Sequence, residues 1–283
     1  MFHNSRDMLA PGGPDNSCLK EATMITLITE LSLAEGVPVE HLHEYLNGPF
    51  SEQMRLIGPK AGVVRCIVSS RLADPDVEAF AVARGWVDPP ESIVQLTLDS
   101  KESALAVLGR SQADSLLRPP ALERLVNPNG TSTFAATERT VFGSLSEDLR
   151  WSQAGTLSSP VKMVVQAVRR EGMDFETFSR HWTDTHAPLV SKHGPRMGNI
   201  QYVQSHRVLD PDLVSAAAAV SGRATPDGMA EVWWQDHQTM QATFATSEAA
   251  DASAAMEDDE REFLTPTAMW AFLAREIPVL RGS

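Results

Sequence analysis

Three side chains in the second half of this chain have the types and spacing for proton chemistry: His186, Tyr202 and His206. An imidazole exchanges protons near neutral pH, which makes His186 a candidate general acid or base. Tyr202 and His206 stand four apart in a β-rich segment, so they share one face of a strand with Gln204. Either can donate to an oxygen that gains negative charge as a proton leaves carbon. Trp182, Asp184 and His193 lie beside His186 on a helix-like stretch, with His181 three residues before Asp184. That spacing makes His181 and Asp184 neighbours, and Asp184 is placed to hold either His181 or His186 in one tautomer. Glu231 and Trp233 share a face of a further strand, and the adjacent Trp233 and Trp234 must point to opposite faces. The expected site therefore has His186, Tyr202 and His206 in catalysis, with Trp233, Trp182, Glu231, Asp184 and His193 around the substrate. Each also has a purely structural reading: a helix-end histidine bonded to backbone, a strand tyrosine used for packing, a core tryptophan. No metal is expected, because these residues do not form a ligand spacing such as H-E-x-x-H.

The elements that must position these residues occur twice. Residues 25–76 align without a gap onto 161–212, an offset of 136 positions. Glu35-Gly36, Glu40, Gly58-Pro59, Gly62, Ser69, Arg71 and Asp74-Pro75-Asp76 recur as Glu171-Gly172, Glu176, Gly194-Pro195, Gly198, Ser205, Arg207 and Asp210-Pro211-Asp212. This is a duplicated domain rather than a short-period solenoid. The shared residues serve the backbone, whereas the chemistry differs. Phe50, Cys66 and Ser70 stand where the second copy has His186, Tyr202 and His206, and Val94 and Leu96 are read against Glu231 and Trp233. One working pocket and one structural partner are the expectation.

Each copy reads as β-α-β-β-α-β. An apolar β-rich run precedes a Gly turn, a helix-like stretch follows, and two strands, a helix and a last strand complete the unit. Asp174 is a plausible N-cap for the helix that carries His186. Gly48-Pro49 must disturb the equivalent helix of the first copy. The split βαβ order is that of a ferredoxin-like sandwich, whose open sheet face needs cover. The sister sheet supplies it, so the expected fold is α+β, two ferredoxin-like βαββαβ repeats forming one intramolecular barrel. The boundaries are an N-terminal arm at 1–22, a first repeat at 23–144, a linker at 145–160 and a second repeat at 161–283.

The chain of 283 residues has a formal charge of −13, with 42% hydrophobic and 22% charged residues. Such acidity argues against binding a phosphate backbone, so no nucleic acid partner is expected. No apolar run approaches the length of a membrane helix, and the N-terminus lacks a secretory pattern. Cys18 and Cys66 make no disulfide framework and fit a reducing, cytoplasmic setting. The acidic run MEDDERE at 256–262 reads as a solvated helix face. Glycine-rich nucleotide loops, G-x-S-x-G and C-x-x-C are missing.

The second copy also carries a motif sentence: Lys162 and Arg169-Arg170 around a strand, then FETFSRHWTDTHAPLV, QYVQSHRV, AEVWWQD and a closing strand with Glu276. It resembles the EthD family of dimeric α+β barrels over about 161–279; the first copy resembles it only through the repeat. The resemblance implies a cofactor-free barrel with an apolar pocket, in which His186 corresponds to the family's helix histidine. It implies a lyase or isomerase of dehydratase, decarboxylase or cyclase type, acting on a small hydrophobic, aromatic or polyketide-like carbonyl compound. Two alternatives stand beside it: a binding protein for a hydrophobic intermediate, and a haem-binding or oxygenase-associated barrel. A homodimer of the two-repeat chain is a further expectation.

Overall fold

A computed structural model describes residues 24–111, 114–145 and 159–281. The arm at 1–22 and nearly all of the expected linker lie outside the described residues. Eight antiparallel strands close into one barrel: β1 (Ile25–Leu31), β2 (Val63–Leu72), β3 (Ser92–Leu98), β4 (Ser132–Gly143), β5 (Val161–Ala167), β6 (Gln201–Arg207), β7 (Gly228–Trp234) and β8 (Ala271–Leu280). The order around the barrel is β1-β3-β2-β8-β5-β7-β6-β4. Each half contributes a sheet in ferredoxin-like order, 4-1-3-2 and 8-5-7-6, and the halves are joined where β2 pairs β8 and β4 pairs β6. Closure leaves no sheet edge unpaired.

Strand alternation sends one set of side chains into the barrel and the other outward against helices. Ile28, Ile93, Phe134, Val164, Met229 and Phe272 fill part of the interior. A charged cluster fills another part. The fully buried Lys162 ammonium meets Glu231, lies 2.8 Å from Glu276 and 3.3 Å from Gln95 Oε1. Arg65 pairs with Glu138 and donates to Thr97 Oγ1 at 3.2 Å. Burial works against the charge on Lys162, but the two carboxylates outweigh it and keep the amine protonated.

In both copies the helix after the first strand runs in three segments, Val39–Tyr45, Leu46–Phe50 and Ser51–Ile57, and Phe175–His181, Trp182–His186 and Ala187–His193. The middle segment is a π turn each time, at the same aligned positions. Pro49 is therefore absorbed by widening the helix, since a residue without N–H cannot complete the usual ladder. The helix ends in a short 3-10 turn and a glycine with positive φ, +80° at Gly62 and +71° at Gly198. A Cβ at Gly62 would lie 2.4 Å from Ser103 Oγ, so backbone angle and space both demand glycine. The repeated Asp-Pro-Asp is an N-cap: Asp74 and Asp210 accept from the amides of Asp76 and Val77, and of Asp212 and Leu213.

Each half also carries a helix after its second strand, Pro75–Ala83 and Pro211–Ala219. Each crosses to the other half. Leu213 and Ala217 pack into the first copy's core, so 208–227 does not cover the second copy's helices. Phe80, from the first copy, packs instead on the second copy's side.

Candidate functional site

A narrow cavity of about 80 Å³ lies between the outer face of the second copy's sheet and its helices. Met163 and Val165 of β5, Tyr202 of β6, and Ala230, Val232 and Trp234 of β7 form its floor. The repeat helix gives Trp182, His186 and Val190, and the helix Ser247–Phe263 gives Ser253, Met256 and Glu260. Phe80, Arg84 and Trp86 close one side and come from the first copy. A groove of about 410 Å³ adjoins the cavity and shares Phe80, Met197, Phe244 and Ser253 with it.

His186 is buried, and its Nδ1 lies 2.8 Å from Asp259 Oδ2. The other oxygen of Asp259 is 2.9 Å from His181 Nε2. Burial opposes the charge on Asp259, yet the bonds from His186 and His181 prevail and hold its carboxyl below the usual range. A carboxylate on Nδ1 fixes the proton there and leaves Nε2 as the basic nitrogen. Phe263 packs against both imidazoles, with centroids 4.6 Å from His181 and 5.3 Å from His186.

Tyr202 lines the same cavity. Its oxygen accepts from Trp182 Nε1 at 3.2 Å and from Gln204 Nε2 at 3.2 Å. Those bonds use both lone pairs, so the phenolic proton is left to donate. Burial pushes the Tyr202 phenol up, and it stays a neutral donor. Gln204 Nε2 also donates to the Trp182 carbonyl at 3.0 Å, and its Oε1 lies 3.3 Å from His206 Nε2. His206 Nδ1 is 3.0 Å from Ser179 Oγ. Burial, with Arg139 nearby, lowers His206 to about 4, so the neutral ring donates to Gln204 and accepts from Ser179.

The structure thus brings together His186, Tyr202 and Trp182, and separates the others from the cavity. His206 packs tilted against Trp182, with ring centroids 4.4 Å apart, and reaches Tyr202 through Gln204. Asp184 is exposed, and the carboxylate on His186 is Asp259 instead. The reason is helical geometry: two residues apart on one helix, Asp184 and His186 point in different directions. His193 is buried at the helix end outside the lining, and burial with Lys192 and Arg196 lowers it. Glu231 and Trp233 face into the barrel, where Trp233 packs on Val203 and Leu145 and lies 5.3 Å from the Lys162 ammonium. The tryptophan in the cavity wall is Trp234, whose Nε1 donates to the Met197 carbonyl at 2.7 Å. The aligned residues of the first copy are also shifted by one. β3 and β7 keep the 136 offset, starting at Ser92 and Gly228, so Glu231 and Trp233 match Gln95 and Thr97 rather than Val94 and Leu96.

Asp259, Glu260 and Arg84 escaped the sequence reading. A signal for Asp259 was present: Ala249, Ala252, Met256, Asp259 and Phe263 recur at helical spacing, an acid set into an apolar stripe. Nothing local marks Arg84, which reaches the cavity only because the halves close on each other.

The EthD domain family matches residues 170–267. That stretch lies within the second copy. Over the whole chain the fold is similar to that of an anthrone oxidase-like protein, at a TM-score of 0.58 and 11% identity, covering 92% of this chain and 94% of that one. An EthD family protein from Bacillus halodurans C-125 matches at 23% identity over 42% of this chain and 99% of its own, at a TM-score of 0.30. A chlorite dismutase from Candidatus Nitrospira defluvii matches at a TM-score of 0.41 and 10% identity, over 92% of this chain and 94% of that one. No curated protein matches the chain. The likeness to the anthrone oxidase-like protein supports the fold alone, an α+β barrel here closed within one chain. Among the described residues no helix is long and apolar enough to cross a membrane.

Proposed function

We propose that the EthD copy is an enzyme that removes a proton from carbon next to a carbonyl group in a small hydrophobic, aromatic ketone. The observation that carries this reading is the pairing, in one apolar cavity, of an Asp259-held His186 with a Tyr202 hydroxyl whose lone pairs are already occupied. His186 Nε2 takes the proton, the C–H electron pair moves toward the carbonyl oxygen, and Tyr202 donates to that oxygen as it becomes an enolate or phenolate. Burial of both groups among Met163, Val165, Trp182 and Trp234 excludes water and strengthens that donation. His206 acts at one remove, holding Gln204 so that Tyr202 keeps its orientation. Loss of a leaving group from the enolate gives a lyase, and return of the proton at another carbon gives an isomerase. No step calls on a bound cofactor.

The cavity is smaller than the about 150 Å³ that admits benzene, so an aromatic substrate must displace flexible walls. Phe80, Met197 and Phe244 stand between the cavity and the wider groove and are the side chains to move. The test is deuterium exchange at the benzylic carbon next to the carbonyl of 2-tetralone, followed by NMR in heavy water. The wild type should accelerate exchange, and His186→Ala should reduce the rate by about a hundredfold to ten-thousandfold with an unchanged melting temperature. Exchange equal to the buffer rate in the wild type would sink the enzymatic reading. Oxygen uptake accompanying exchange would assign oxidation of the carbanion instead of a lyase or isomerase outcome.

A further inference from the structure

Arg84 has no part in the proton chemistry above, yet its guanidinium lines the cavity from the other half of the molecule. Its side chain is 8% exposed and lies against two aromatic rings, 4.4 Å from the centroid of Phe80 and 5.4 Å from that of Trp86. A buried guanidinium beside a cavity would ordinarily recruit a carboxylate from the ligand. Here the fork is already occupied. Arg84 pairs with Glu260, a cavity residue itself; it donates to Ser253 Oγ at 3.2 Å and lies 3.5 Å from Glu257. Glu257 also pairs with Arg261, and Asp259 adds a third carboxylate behind His186, so three carboxylates stand against two guanidiniums. The field of Glu260 extends to the Tyr202 hydroxyl, where it opposes negative charge and Arg139 favours it.

We infer that the Arg84–Glu260 pair makes the site selective for uncharged carbonyl compounds, with Glu260 the specificity-determining residue. An incoming carboxylate would have to displace Glu260 from Arg84 or remain unpaired in a site of its own sign, and both are costly. A neutral ketone meets no such barrier, and its negative charge arises only inside, at Tyr202. The first copy thus contributes specificity as well as half a barrel.

The inference rests on the cavity being the ligand site, and one experiment separates the two. Acetophenone and benzoate have nearly the same shape and differ in charge. Trp86, Trp182 and Trp234 line the cavity, so their fluorescence reports occupancy. The wild type should bind acetophenone at least about tenfold more tightly than benzoate. Glu260→Gln removes one of the two carboxylates from the guanidinium and should tighten benzoate by about tenfold or more, leaving acetophenone within about twofold. Adding Arg84→Met to Glu260→Gln should abolish that gain, which a general loosening of the cavity would not. Benzoate bound as tightly as acetophenone by the wild type, or unchanged by Glu260→Gln, would overturn the selectivity. Melting curves establish that each variant is folded. Quenching by neither compound in any of the proteins would overturn the reading of the cavity as a ligand site, and the selectivity with it.

Discussion

The two copies share a backbone down to the π turn and differ in what fills the space beneath it. In the first, Phe50 occupies the His186 position, Cys66 that of Tyr202 and Leu98 that of Trp234, and all three are buried with Leu42, Leu46 and Met54. The second has an imidazole, a phenol and an indole around a cavity. A π turn is often a mark of function. Here the structural copy keeps it too, so the widened turn belongs to the architecture. What distinguishes the second copy is the acidic helix Ser247–Phe263, which brings Asp259 to His186 and Glu260 to the cavity wall. The contrast also runs across the barrel wall. The charges around Lys162 inside the barrel pair with one another, whereas the groups of the cavity keep a basic nitrogen and a hydroxyl proton in reserve.

The barrel side of that contrast should give the largest effect. Lys162→Met leaves Glu231 and Glu276 buried without their cation, and denaturant unfolding should show a loss of about 3–5 kcal/mol. Changing both glutamates to Gln in the same protein should restore part of it. A Lys162→Met protein as stable as the wild type would show that the cluster does not hold the barrel together.

Next comes a swap between copies. Phe50→His places an imidazole at the aligned position, but in an aliphatic core without a matching carboxylate. Unfolding should report a cost of about 3 kcal/mol, and His186→Ala should not be rescued by it. Proton exchange in the Phe50→His/His186→Ala double variant would break the claim that the first copy has no proton-transfer pocket of its own.

Tyr202→Phe keeps the ring and removes the donated hydrogen bond. Exchange should slow by about a hundredfold with little change in ligand affinity, the pattern of a bond made as charge develops. Equal loss of affinity and rate would reduce Tyr202 to a packing residue.

The smallest effect concerns pH. Burial holds His206 at about 4 in the folded protein, against about 6.5 when unfolded. The unfolded chain therefore binds the extra proton first, so stability is full above about pH 6.5 and falls as the pH drops toward 4. Between about pH 7 and about pH 4.5 the wild type should lose roughly 2 kcal/mol more than His206→Gln, read from denaturant midpoints. Parallel curves would show that His206 is not held neutral beneath Trp182.

The duplication, the strand order, the Asp174 cap and the place of His186 and Tyr202 were legible because they depend on local spacing. Glycines at fixed offsets, alternation along strands and helix-period apolar residues act within a few residues of chain. Trp233 and Trp234 show where that reach ends. Opposite faces are certain from their adjacency, but which face meets the barrel is decided by which sheet closes on which. Asp184 and Asp259 make the same point for His186: sequence proximity suggested one carboxylate, and a helix more than seventy residues on supplies the other.

By itself the sequence determined two ferredoxin-like copies and an asymmetry of side-chain chemistry between them. Only the tertiary structure decided that Asp259 holds His186, that Glu231 and Trp233 belong to the barrel interior, and that Arg84 crosses from the first copy to the cavity. The physical reason is that secondary structure follows local backbone preference and pattern. A buried site is built from whatever charges and hydrogen-bond partners distant segments leave facing one another when the barrel closes.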